Sequence, residues 1–183
     1  MSFWFESKPR SQKFMETKSI CGNKFPFEYH TISIPVLLEN LPDKITFEGN
    51  TFLINSFLHI SLVCIGEITK KHNILIPDFE NKVINDFCEF SQNNDVSVIK
   101  YTDDFKFVAR DDLRSIIVMC KVTNLDKFFD LINKKYGLKI EYPPTHVTLY
   151  TLPLKFGIFL TDSSDIKNLT TPIENPIGHS LLF

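Results

Sequence analysis

The sequence predicts an α+β fold with two similar halves. Segments with the alternation and β-branched content of strands outnumber segments with helical spacing. Two short segments, residues 58–62 and 146–150, share one pattern in which a histidine is followed by an apolar residue, a hydroxyl residue and a leucine. Each of these segments has a predicted helix near it in sequence, and their histidines lie 87 positions apart, close to half of the 183-residue chain. This length suits one domain, or two small lobes that share a cleft.

Composition and net charge indicate which partners and which cellular compartment to expect. The net charge of −2 argues against a broad basic surface for long nucleic acid, but it allows a nucleotide or an RNA end as the partner. We expect no secretory signal and no membrane contact, because no apolar run approaches the roughly 18 to 20 residues of a membrane helix. The four cysteines form no Cys-x-x-Cys pair, and Cys64 and Cys120 lie in apolar runs typical of buried thiols. We therefore expect a monomer in a reducing, cytoplasmic compartment, without a metal or cofactor.

Residues 1–30 are predicted to be an N-terminal arm, either frayed or packed on the domain, and residues 31–183 to be a single domain. In the first half, strands are predicted at 31–38 and 57–65, with a hairpin at 45–54 between them. The run at 57–65 is apolar except for His59 and Ser61, which is typical of a central strand covered on both faces. Two polar side chains on one face of such a strand call for an explanation.

The second half alternates helices and strands. Pro77 and Asp78 open a helix with apolar residues at helical spacing, and Asn124 and Gly137 are predicted to cap another. The remaining predictions are strands at 96–101 and 105–109 around a turn at 102–104, strands at 115–122, 146–151 and 156–160, and a short helix from Ser163 or Ser164 to Leu169 that Pro172 ends.

The repeated pattern places a histidine and a hydroxyl on the same face of each strand. Side chains at i and i+2 of a strand point to one side, so His59 pairs with Ser61 and His146 with Thr148. One match is weak evidence, since about 6% of histidines in a chain of this composition meet the pattern by chance. Two matches indicate that the fold brings the strands together. Their chemistry then fits phosphodiester cleavage, in which one imidazole takes a proton and the other gives one, while Ser61 and Thr148 donate hydrogen bonds to phosphate oxygens.

Two aromatic residues lie in register with these pairs. By simple alternation Tyr150 shares a face with Thr148, and Phe57 shares a face with His59. Either ring can stack a base, and the alternative for both is ordinary packing in the core or at its rim. His30, His72 and His179 lack the pattern; we expect His30 and His72 at the surface, and no spacing suggests a metal site.

The two segments resemble the paired His-x-[Ser/Thr]-hydrophobic motifs of the 2H phosphoesterase superfamily. The matching residues are Leu58-His59-Ile60-Ser61-Leu62, followed by Gly66-Glu67, and Pro144-Thr145-His146-Val147-Thr148-Leu149-Tyr150. The resemblance covers about residues 31–172. It implies a bilobal fold with pseudo-twofold symmetry, in which a pair of antiparallel sheets backed by helices meets at a central cleft. It also implies metal-independent catalysis by His59 and His146, with Ser61 and Thr148 holding the phosphate.

The resulting hypothesis is a phosphodiesterase for a ribonucleotide bond that involves a 2′-oxygen, either a 2′,3′-cyclic phosphate end or a 2′-5′ linkage. Two alternatives stay open, an enzyme that degrades cyclic nucleotide or oligonucleotide signals and a non-catalytic module that binds RNA ends or nucleotides. The resemblance does not assign the acid and the base, or the Arg, Lys or Tyr residues that complete the site. Arg110 and Arg114 flank a predicted strand, where a solvated surface role is the simpler interpretation.

Overall fold

The structure is a computed structural model that describes residues 18–153 and 157–178. The predictions for residues 1–17, Phe156 and His179 lie outside these ranges. The strands are β1 (Lys18–Ile20), β2 (Phe25–Glu28), β3 (Thr31–Pro35), β4 (Lys44–Phe47), β5 (Asn50–Ile54), β6 (His59–Cys64), β7 (Val98–Arg110), β8 (Leu113–Val122), β9 (His146–Leu152) and β10 (Thr170–Ile173). The helices are α1 (Ile65–Lys71), α2 (Phe79–Asn93), α3 (Leu125–Tyr136) and α4 (Ser163–Leu169).

The strands form one antiparallel sheet, in the order β1-β2-β3-β6-β9-β8-β7-β10. The hairpin of β4 and β5 lies off this path and pairs with the second half of β9. The α+β class is therefore confirmed. The two strands that carry the repeated motif, β6 and β9, are neighbours at the centre of the sheet.

The main core lies between one face of the sheet and the helices. Val83, Phe87 and Phe90 of α2 recur at helical spacing, and together with Phe128 and Phe129 of α3 they join the buried side chains of this face. Gly137 ends α3 with a positive φ of 66°, a conformation that glycine adopts without steric cost. We refer to this side of the sheet as the core face.

The opposite face, here called the site face, carries a smaller apolar cluster. Its buried members are Val108 and Ile117 of the sheet and Ile158 and Leu160 of the segment after β9. That segment runs from Gly157 to Thr161 into α4, and we call residues 157–161 the covering segment. It was predicted as part of a strand, but the structure gives it no strand pairing.

The sequence left open whether the N-terminal arm is frayed or packed. Residues 18–28 contribute β1 and β2 to the sheet, so this part of the arm is packed on the domain. Three further features differ from the sequence predictions. Residues 65–71 form α1, a helix that was not predicted and that begins at Ile65, the last residue of the strand predicted at 57–65. The two strands predicted around 102–104 are one strand, β7, because the irregular pairing between Tyr101 and Phe105 does not break it. Asp162 caps α4 in place of a serine, since its side chain accepts from the backbone N–H groups of Ser164 and Asp165.

The cysteines divide into two kinds. Cys64 and Cys120 are buried free thiols, as the sequence predicted. Cys21 and Cys88 form a disulfide that ties the turn after β1 to α2. This bond differs from the expectation that all four thiols are reduced. Among the helices of the described residues, none is long and apolar enough to cross a membrane.

Candidate active site

Strand register brings the two motifs together. Ile60 of β6 lies opposite Val147 of β9, and both side chains are fully buried on the core face. In an antiparallel pair this register places His59 beside Thr148 and Ser61 beside His146, with all four side chains on the site face. The two imidazoles are thus diagonal neighbours, flanked by two hydroxyls.

Each motif strand changes register immediately after its hydroxyl residue. Along β6, Ser61 pairs with Ser33 and Val63 with Ile32, so Leu62 is the extra residue of a β-bulge. Along β9, Thr148 pairs with Ile117 and Tyr150 with Ile116, so Leu149 is the extra residue there. The last residue of both motifs is therefore a bulge residue, and the same local distortion is present on both sides of the sheet centre.

The second bulge corrects the expectation for Tyr150. Alternation alone puts Tyr150 on the face of Thr148, but the extra residue Leu149 turns it to the core face with Ile116. Its ring is 0% exposed, and its hydroxyl donates to the carbonyl oxygen of Pro42 at 3.1 Å. Burial raises the pKa of Tyr150 to about 12. A ring in this position has no surface on which a base can stack.

Both imidazoles are held in the same way. Nδ1 of His59 lies 3.0 Å from the carbonyl oxygen of Phe57, and Nδ1 of His146 lies 2.8 Å from that of Pro144. A carbonyl oxygen only accepts hydrogen bonds, so Nδ1 carries the proton in each neutral ring. The lone pair of the neutral His59 ring is then on Nε2, whereas His146 has the backbone of Ile158 as a second hydrogen-bond partner. Such a bond to the residue two positions earlier fixes the tautomer and the orientation of both rings.

The surroundings favour the neutral form of both histidines. Burial lowers the pKa of His59, against the opposing effects of the Phe57 carbonyl and of the Glu28 carboxylate. Burial also lowers the pKa of His146, which is 7% exposed. Hydrogen bonds to the backbone of Pro144 and Ile158 oppose that shift, whereas a positive charge on His59 adds to it. The two imidazoles therefore influence each other's protonation.

The site is covered on one side and open on the other. The covering segment passes close over Thr148, because a Cβ added to Gly157 would lie 2.6 Å from Thr148 Oγ1. Thr148 is accordingly only 8% exposed. On the β6 side Phe57 is 45% exposed, and its ring stacks on that of His59 with centroids 5.2 Å apart. Phe57 therefore lies beside His59, and its role in stacking a base stays a prediction.

Three polar residues near the motifs were missed from the sequence. Ser33 of β3 is the direct neighbour of Ser61 on the site face. Glu28 of β2 interacts electrostatically with His59. Lys106 of β7 pairs with Ile117, the neighbour of Thr148, and its Nζ lies 2.9 Å from Asp104 Oδ1. Only strand order reveals these neighbours, since none carries a local motif.

The remaining sequence candidates lie elsewhere. His30 and His72 are exposed, and His30 pairs with Glu80. Arg110 donates to the carbonyl oxygen of Phe159 at 3.1 Å and so holds the covering segment, whereas Arg114 donates to carbonyls of the β7–β8 turn. Among residues 18–153 and 157–178, no group of three or more His, Cys, Asp or Glu side chains is arranged to hold a metal ion.

Comparisons with known proteins give no relative. No protein-family model matches the chain, and searches of curated proteins and of solved structures find no significant match. Interpretation of the site therefore depends on its own geometry.

Proposed function

We propose that this protein is a phosphodiesterase that cleaves a ribonucleotide bond involving a 2′-oxygen, either a 2′,3′-cyclic phosphate end or a 2′-5′ linkage. The observation that carries the proposal is the adjacency of two His-x-[Ser/Thr]-Leu strands in register, with both Nδ1 atoms bonded to backbone carbonyls. Two imidazoles on one face of the sheet supply the acid and the base that such cleavage needs. The matching bulges support a 2H phosphoesterase-like, bilobal arrangement with pseudo-twofold symmetry about β6 and β9.

In this mechanism the phosphate lies over β6 and β9, between the two histidines. One neutral Nε2 takes the proton from the attacking oxygen, and the other, protonated ring gives its proton to the leaving oxygen. The hydroxyls of Ser61 and Thr148 donate to the non-bridging oxygens, where negative charge grows in the transition state. Each acid or base role typically contributes about 10² to 10⁴ in rate.

Burial favours a division of labour between the histidines. It lowers the pKa of both imidazoles, and His146, which is 7% exposed, is more deeply buried than the half-buried His59. A single proton on the pair is therefore better placed on His59. We assign His59 as the acid and His146 as the base for hydrolysis, and the roles exchange in the reverse direction.

The test is hydrolysis of adenosine 2′,3′-cyclic phosphate and of 2′-5′ ApA in EDTA. We expect His59→Ala and His146→Ala each to lower kcat at least 10²-fold. His72→Ala is the matched control, because that imidazole is exposed and lies outside the site, and it should keep wild-type turnover. Wild-type turnover in both single variants would refute the mechanism, and loss of activity in EDTA would refute metal-free chemistry.

The same experiment separates the other functions. We would measure kcat/KM for a panel of cyclic mono- and dinucleotides and compare it with kcat/KM for the 2′,3′-cyclic phosphate and the 2′-5′ linkage. The higher value distinguishes an enzyme that degrades signals from one that processes RNA ends. Tight binding of adenosine 2′,3′-cyclic phosphate without turnover of any substrate from pH 5 to 9 would instead indicate a binding module.

A further inference from the structure

We propose that a groove beside His146 binds the nucleotide that precedes the scissile phosphate, so that the substrate is an oligoribonucleotide and not a free cyclic mononucleotide. This inference rests on the proposed function. The groove has a volume of about 740 Å³ and runs from the end of β8 to the first turn of α3. Sites for small organic ligands commonly have volumes of about 300 to 1,000 Å³.

The groove begins next to the candidate active site, although none of the four motif side chains lines it. Met119 lines it and is the β8 partner of His146, so its near end lies one strand from the imidazole. Pro144 lines it too, and its carbonyl oxygen is the acceptor that orients His146. At the Ser61–His146 end of the site, the groove is therefore the nearest space for the next nucleotide of a chain.

The side chains of the groove suit a base and a phosphate. Tyr142 is 38% exposed, and its ring is held edge-on against Phe129 with centroids 6.3 Å apart. A fixed and partly open ring is a stacking platform for a base of any sequence. Lys121 is exposed on the rim, and Lys127, whose Nζ donates to Asn124 Oδ1, adds a second cation. Asp126 is the opposing carboxylate, so the lining carries one net positive charge in a chain of net charge −2.

Phe57 provides a second aromatic surface, at the His59 end of the site. It lies beside His59, whereas the groove begins beside His146, so the two aromatic surfaces flank the position of the phosphate. A cyclic mononucleotide has one nucleoside and occupies one of these surfaces. An oligonucleotide with nucleosides on both sides of a phosphate occupies both.

The test compares adenosine 2′,3′-cyclic phosphate with the trinucleotide ApApA that ends in a 2′,3′-cyclic phosphate, and with 2′-5′ ApApA. For the wild type we expect kcat/KM to be at least tenfold higher for one of the trinucleotides than for the mononucleotide. Tyr142→Ala and Lys121→Glu should each reduce this preference about tenfold or more, mainly through KM. Lys134→Ala removes a charge at the other end of α3, outside the groove, and should keep the wild-type preference.

Salt dependence provides a second readout that does not depend on the stability of the Tyr142 variant. If Lys121 contacts a phosphate, Lys121→Ala should reduce the slope of log KM against log salt concentration for the trinucleotide by about 0.7. Equal kcat/KM for all three substrates, or a preference that survives both groove substitutions, would overturn the inference and leave the proposed function intact. No hydrolysis of any of the three by the wild type would instead remove the proposed function.

Discussion

At the scale of single residues, the function depends on how two imidazoles share protons. Burial lowers the pKa of both His59 and His146 below the ordinary value of 6.5. A group with a lowered pKa loses its proton earlier as the pH rises. The base form is therefore plentiful at neutral pH, and the acid form is scarce.

This balance predicts the pH profile. The alkaline limb of kcat/KM reports the higher of the two pKa values in the free enzyme, which we expect below 6.5. Activity should therefore follow a bell-shaped curve with its maximum on the acid side of pH 6.5 and fall towards pH 8. Initial rates at low substrate concentration from pH 4 to 9 measure this, and a maximum above pH 7 would contradict the assigned environments.

Gly157 is the second residue whose local geometry matters. An alanine there would bring its Cβ within 2.6 Å of Thr148 Oγ1 and 3.2 Å of the Thr148 methyl carbon, closer than atoms approach without displacement. The hydroxyl that is proposed to hold the phosphate would have to move, or the covering segment would lift.

We predict that Gly157→Ala lowers kcat/KM at least tenfold and costs about 1 to 3 kcal/mol of stability. The control is the same substitution in a Thr148→Ala background, which removes the contacts with Oγ1 and the methyl group and leaves the 3.2 Å contact with the Cβ of residue 148. The cycle of single and double variants should therefore be strongly non-additive in both kinetics and urea unfolding. Additive effects would show that Gly157 does not act through Thr148.

At the scale of elements, a polar clamp joins α1 to the covering segment. Lys71 Nζ lies 2.5 Å from Asp162 Oδ2, 2.6 Å from Thr161 Oγ1 and 3.7 Å from Asp165 Oδ1. Burial alone would raise the pKa of Asp162, but Lys71 and bonds from Ser164 and Asp165 outweigh it and lower the pKa to about 2. The clamp thus holds the carboxylate in its charged form.

We expect Lys71→Met to cost about 1 to 3 kcal/mol in urea unfolding at pH 7, because it removes the cation from the partly buried carboxylate of Asp162, whereas Asp165 keeps its ion pair with Arg110. Lys70→Met is the matched control. Lys70 is 78% exposed and pairs with Glu67 in the helix turn, so its loss should cost less than about 0.5 kcal/mol.

The clamp also has a pH signature. The pKa of Asp162 is lower in the folded than in the unfolded state, so its contribution is present above about pH 4 and disappears as the pH falls towards 2. The difference between Lys71→Met and the wild type should shrink over that range. A difference that is constant from pH 2 to 7 would exclude this electrostatic origin.

Sequence patterns predicted the positions of helices and strands better than they predicted which face of the sheet each side chain occupies. The helix starts at Asp78 and Asn124, the helix end at Gly137 and the hairpin of β4 and β5 were local signals, and these positions are confirmed, although neither Asp78 nor Asn124 caps its helix with a side-chain hydrogen bond. The prediction for Tyr150 was wrong because a bulge, which no local composition marks here, adds one residue to the alternation. Ser33 and Lys106 were missed for a related reason, since their place near the motifs is set by pairing with distant strands.

At the scale of the whole molecule, the Cys21–Cys88 disulfide joins the edge of the sheet to α2. The bond closes a loop with a sequence separation of 67. Such a cross-link restricts the unfolded chain and typically stabilises a protein by about 2 to 4 kcal/mol.

We therefore predict that dithiothreitol lowers the unfolding midpoint of the wild type, by the equivalent of about 2 to 4 kcal/mol. The Cys21→Ser/Cys88→Ser double variant should be destabilised similarly and should show no further change with reductant. Equal midpoints for the wild type with and without dithiothreitol would indicate that these thiols are free in solution.

The short contact between β6 and β9 has a dynamic consequence. Their register contains one matched pair, Ile60 with Val147, and β9 pairs with β5 from Tyr150 onward. The two flanking pairs, β3 with β6 and β8 with β9, each have five or more matched positions. We expect amide protons along the β6–β9 seam to exchange with deuterium through local opening, well before those of the flanking ladders. The histidines would then lie on a line along which the sheet can flex, with each imidazole fixed to its own half.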